Sequence, residues 1–80
     1  MEKKVAILGI MVKSREGIED LNKLLTEYGD YIIGRMGIPH IEKAINIICI
    51  IMDAPKDIVD ELCDKIKELD EITVKSIYND

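Results

Sequence analysis

Two near-continuous apolar runs constrain this chain more than any other feature. Val5 to Val12 reads VAILGIMV and Ala44 to Met52 reads AINIICIIM, with Gly9 and Asn46 the interruptions. Short β-branched runs bounded by polar turns fit strands better than helices. Both runs are apolar at odd and even positions alike, which predicts strands covered on both faces, as in the middle of a sheet.

Between the runs the hydrophobic period changes. Ile18, Leu21, Leu24, Leu25 and Tyr28 fall on one helical stripe. Ser14 is suited to cap that helix, and Glu16, Glu19 and Asp20 suit its positive end. Glu19 and Lys23 are spaced as an i,i+4 pair, and Gly29 is placed to end the helix in the left-handed conformation. Tyr31 to Ile38 then reads as a second strand, broken by Ile38-Pro39-His40. Asp53-Ala54-Pro55 opens a second helix, with Pro55 suited to the first helical position. Its stripe is Ile58, Val59, Leu62, Cys63, Ile66 and Leu69, with Glu61 and Lys65 paired outside. Ile72 to Tyr78 forms a last, more polar strand.

The order β-α-β-β-α-β is that of the ferredoxin-like fold. The expectation is one α+β domain over residues 1–80, a four-stranded antiparallel sheet with two helices on one face. In that fold the first and third strands are central, and here they are the apolar runs. The second and fourth carry Arg35, Thr73, Lys75 and Ser76, as edge strands do. Two helices cover one sheet face only, so the apolar residues on the other face predict a homo-oligomer, joined sheet to sheet or edge to edge.

Length and charge narrow the function. Eighty residues leave no room for a second core, and chains this small usually lean on disulfides, a metal or oligomerisation. The two cysteines, Cys49 and Cys63, follow no secretory signal, and the amino-terminal apolar segment is too short to span a bilayer. A reducing, cytoplasmic setting without membrane attachment is expected. Eleven basic against sixteen acidic residues give a net charge of −5, which argues against direct nucleic-acid binding.

Little here suits catalysis. His40, the one histidine, lies in a turn, while Cys49 and Cys63 lie in apolar segments as small hydrophobes. No nucleophile and base come together, so the chain is read as no enzyme. Glycine fingerprints for phosphates are absent, ligands for a metal are too few to assign a site, and nothing names a cofactor. Two segments remain. Lys13-Ser14-Arg15-Glu16-Gly17-Ile18 combines a helix start with a nearby Arg, either an ordinary capped turn or a modest site for an anion or an amino-acid carboxylate. Gly34-Arg35-Met36-Gly37-Ile38-Pro39-His40 places two glycines in an edge strand, either a protective bulge or a place of close approach by a ligand or partner chain.

Residues 27–55, EYGDYIIGRMGIPHIEKAINIICIIMDAP, strongly resemble the regulators of the iron-only hydrogenase system, a family of small ACT-like proteins. GRMGIP is the most specific part, and the likeness extends to the first strand, the Ser-Arg-Glu turn and Val74-Lys75-Ser76. The second helix departs from the family pattern, with Cys63-Asp64-Lys65-Ile66-Lys67 where small residues are usual and Asp70-Glu71 where a glycine is usual. Asp70 is expected to adopt the left-handed turn instead. The resemblance implies an ACT-like ferredoxin fold, related in shape to the ligand-binding domain of the nickel-responsive repressor but without that repressor's metal-ligand cluster. It further implies an amino-acid-like effector held between subunits, with Ser14, Arg15, Glu16 and Gly17 on one side and Gly34, Arg35 and Gly37 across the interface; His40, at the end of the same segment, is a further candidate ligand-binding residue. The leading expectation is a regulatory module binding a small ligand or a partner. The competing one is a structural assembly subunit or metallochaperone, in which Gly37 and His40 serve contacts or metal delivery.

Overall fold

The computed structural model of the chain describes residues 2–40 and 45–78. Strand β1 (Lys3–Val12) is followed by helix α1 (Arg15–Glu27), a 3-10 turn (Gly29–Tyr31), β2 (Ile32–His40), β3 (Ile45–Pro55), α2 (Lys56–Lys67) and β4 (Ile72–Tyr78). The strands form one antiparallel sheet in the order β2-β3-β1-β4. The apolar runs are therefore central and the polar strands lie at the edges, the expected ferredoxin-like arrangement.

Burial alternates along the central strands. In β1 Ala6, Leu8, Ile10 and Val12 are closed off, and in β3 Ile48, Ile50, Met52 and Ala54 are. Leu21 and Leu25 of α1 and Val59, Leu62, Cys63 and Ile66 of α2 complete the same core. The intervening residues Val5, Ile7, Met11 and Ile47 are exposed on the other face. Within one chain, the central strands are thus covered on one face and not on both. Leu24, placed on the helical stripe, is only half-buried and packs at the margin of the core, whereas Leu21 is fully enclosed.

Several boundaries differ from the sequence reading. β3 runs on through Asp53-Ala54-Pro55 because Lys3 and Lys4 lengthen β1, so that Val5, Lys4 and Lys3 pair with those residues. Pro55 is consequently the cap residue before α2, extended at φ −57°, ψ 145°, rather than its first helical position. β2 likewise continues through Pro39 and His40, which pair with Asn46 and Ile45; Pro39 is tolerated because β2 is an edge strand. Gly29 does not take a left-handed conformation: α1 passes at Tyr28 into the 3-10 turn. The left-handed residue of the α2–β4 turn is Glu71, at φ 59°, and not Asp70.

β2 also carries an irregularity. Ile32 pairs with Met52, but Gly34 already pairs with Ile51, so one residue is accommodated as a bulge. Beyond it, Gly34, Met36, Ile38 and His40 align with the open face, and Arg35, Gly37 and Pro39 with the helix-covered face.

Candidate functional site

The site grows out of the first turn of α1. Ser14 is extended at φ −133°, ψ 155°, and its Oγ accepts the backbone N–H of Gly17 at 2.9 Å. That satisfies one of the orphan donors of the helix start; the N–H groups of Arg15 and Glu16 have no intrahelical acceptor. Gly17 is buried for a steric reason. A Cβ there would stand 2.9 Å from Ser14 Oγ and 2.9 Å from Val12 Cγ1. The glycine lets α1 start directly against the end of β1.

Pairing of β1 with β3 and of β3 with β2 brings the end of the β2–β3 ladder beside this turn. Val12 pairs with Asn46, and Asn46 with Pro39. Together they border an open surface cavity of about 460 Å³ lined by Lys13, Ser14, Arg15, Ile18, Pro39, His40, Ile45 and Asn46. Lys13 and Arg15 contribute cationic groups, His40 lines the side formed by the end of β2, and the lining holds no carboxylate among the described residues. On a chain of net charge −5, such a concentration is a local reversal of sign. Anions are favoured there by the cations, by the helix dipole and by the unpaired N–H groups together.

Three of the residues named from sequence therefore converge: Ser14, Arg15 and His40. The others do not line the cavity. Glu16 is exposed in the first turn of α1, and Gly17 serves packing. Gly34 lies against Ile51 on the open face, where a Cβ would stand 3.5 Å from Ile51 Cδ1, and Gly37 is near the Ile47 carbonyl. Arg35 is directed to α1, where its guanidinium donates to Asn22 Oδ1. The sequence reading left out Asn46 and Ile45 as site residues. Asn46 did leave a signal, as the polar break in the third-strand run.

The cysteines stay outside this site. Cys49 sits midway along β3, paired with Gly9 and Met36, and Cys63 is buried in α2. Burial pushes the Cys63 thiol up from its ordinary value, which keeps it protonated and a poor nucleophile. Among the described residues no three His, Cys, Asp or Glu side chains cluster as metal ligands. No helix among the described residues is long and apolar enough to cross a membrane.

Residues 4–76 match the TM1266-like family, described as "Iron-only hydrogenase system regulator, putative". The chain belongs to that family. The uncharacterised protein TM1266 from Thermotoga maritima superposes at a TM-score of 0.95 with 26% identity, covering 99% of this chain and 100% of that one. Two further likenesses concern the fold alone. A formyltetrahydrofolate deformylase from Pseudomonas putida KT2440 gives a TM-score of 0.65 at 14% identity, over 91% of this chain but 28% of the deformylase. The de novo designed protein Foldit4 gives 0.63 at 16% identity over 99% of this chain and 100% of that one. No curated protein matches the chain. Membership of the TM1266-like family joins the βαββαβ architecture to a regulator family and leaves the cavity to be interpreted from its own chemistry.

Proposed function

We propose that this member of the TM1266-like family is a cytoplasmic regulatory module of the iron-only hydrogenase system that binds a small anionic effector and acts as a homo-oligomer, without catalysis of its own. The observation that carries the reading is the basic cavity, in which Lys13, Ser14 and Arg15 at the junction of β1 and α1 lie beside the end of β2 at His40. A carboxylate or phosphate suits it, and an amino acid of modest size fits its volume. One feature supports binding rather than turnover: neither cysteine lines the cavity, so no thiol nucleophile stands beside His40 there. Free cysteines accord with a reducing compartment.

Binding would join three segments. Lys13 N–H donates to the Glu71 carbonyl at 3.0 Å, so the turn after β1 is already tied to the turn before β4. A ligand on Lys13, Arg15 and His40 would add the end of β2 to that pair. Thermal melts with individual amino acids, dicarboxylates and inorganic phosphate test the reading. At a hundredfold excess over Kd a ligand stabilises by about 2.7 kcal/mol, a rise on the order of 10 °C for a domain this small. Arg15→Ala should abolish the rise while leaving the unliganded Tm within a few degrees. A flat response to every anion would refute the effector site.

A further inference from the structure

The open face of the sheet is the largest feature that the effector cavity does not explain. Ile7 and Met11 of β1, Met36 and Ile38 of β2, Ile47 of β3 and Ile77 of β4 are all exposed on it, Met36 by 59% and Ile77 by 67%. Half-exposed side chains in this number present several hundred Å² of continuous apolar surface, at or above the ~300–600 Å² of the largest patch on typical monomers. We infer that a second copy of this chain packs on that face, sheet against sheet. The inference rests on the homo-oligomer of the proposed function and goes further by assigning its surface.

Four observations select this occupant. The first is area: a stable interface buries ~800 Å² per partner, and covering the whole face of a four-stranded sheet meets that scale where a narrow peptide would not. The second is shape. A pleated face with side chains every second residue interdigitates with a copy of itself at the ~10 Å spacing of stacked sheets, and a two-fold contact needs only self-complementarity. The third is charge. The chain carries −5 overall, yet the charged groups of this face stand at its margins, Lys75 on edge strand β4 and Lys3 and Asp53 at one end, while the helices with their carboxylates lie on the opposite side. Face-to-face packing therefore keeps the acidic surfaces apart, whereas an anionic lipid surface would repel the chain. The fourth is that the edges are ill-suited to pairing: β2 bears a bulge between Ile32 and Gly34 and the donor-less Pro39, and β4 exposes Lys75.

Sedimentation velocity from 1 to 100 µM separates the outcomes. The wild-type chain is expected as a dimer or a multiple of it, and Met36→Glu and, separately, Ile77→Glu should each return the one-chain mass with an unchanged far-UV spectrum. Lys23→Glu, on α1, should leave the mass as it is. Two variants on opposite edges of the sheet guard against a local folding defect in either. An oligomer that persists in both folded variants would overturn the sheet-face assignment and leave an edge-joined homo-oligomer standing. A wild-type monomer at 100 µM would overturn both the assignment and the homo-oligomer, while the effector site would still be judged by its own melts.

Discussion

The backbone N–H of Lys13 donates to the carbonyl of Glu71 at 3.0 Å, and Glu71 makes that bond from a left-handed conformation with φ 59°. The α2–β4 turn is thereby fastened to the turn that opens the cavity. A side chain in the left-handed region costs about 1–2 kcal/mol, and the Glu71 side chain is exposed.

Glu71→Gly should therefore stabilise the chain. Glycine removes the steric penalty but loses about 0.5–1 kcal/mol through its freer unfolded state, which leaves a net gain on the order of 0.5–1 kcal/mol. Urea unfolding should show a higher midpoint with the same slope. A lower midpoint would mean that the Glu71 side chain contributes more than its conformation costs.

Gly17→Ala should do the reverse, although alanine is the better helix former by up to ~1 kcal/mol. The new methyl would meet Ser14 Oγ and Val12 Cγ1 at 2.9 Å each, and overpacking typically costs ~1–3 kcal/mol. The net loss is about 1 kcal/mol, or roughly 4–8 °C in Tm for a domain of this size. A rise in Tm would show that the start of α1 moves away from β1 without cost.

Tyr78 and Asp60 give a pH dependence at both extremes. The Tyr78 hydroxyl donates to the Asp60 carboxylate, with Lys56 bonded to the same carboxylate at 3.0 Å. The Tyr78 hydroxyl holds the Asp60 carboxyl below its ordinary value of 3.8, with Lys56 acting in the same direction. Burial, then the Asp60 bond, pushes Tyr78 up from 10.0 to about 12. For the depressed acid, the stabilisation is present above pH 3.8 and fades as pH falls through the lower folded value. For the raised phenol, it is present below pH 10.0 and fades as pH rises towards about 12. The stability difference between wild type and Tyr78→Phe should accordingly be flat from pH 5 to 9 and shrink on either side. A difference that persists at pH 2.5 would show that the carboxylate charge is irrelevant to the bond.

Much of this architecture was legible because burial writes directly into residue type. Ile48, Ile50 and Leu8 mark central strands, and Lys75 and Ser76 mark an edge. Ser14 and Arg15 could be singled out because a helix cap is a local pattern. Pairing between distant segments is not written locally: nothing around Pro55 reveals that Lys3 lies opposite and prolongs β3. The orientation of Arg35 was hidden for a similar reason. Side-chain alternation assigns it a face only once the bulge before Gly34 is known, and Ile33 has no feature that announces one. Asn46 joins the site through the same long-range register, since its neighbours Val12 and Pro39 come from two other strands.

The bulge in β2 acts as a phase shift. Before it, even-numbered Ile32 lies on the side of the core; after it, even-numbered Met36, Ile38 and His40 lie on the other. The strand therefore tolerates a change of length at one place and not at others. Without Ile33, Ile32 would still face Met52 and Gly34 would still face Ile51, so a regular ladder would form with every later residue on its present side. Without Met36, by contrast, Gly37 would move opposite Cys49 and the rest of the strand would exchange faces. Ile38 would turn towards the helices, Pro39 towards the apolar face, and His40 would change sides as well. Beyond the bulge, the spacing of residues is thus under tighter physical constraint than their identity: conservative substitutions keep the frame, and the loss of one residue changes what both faces present.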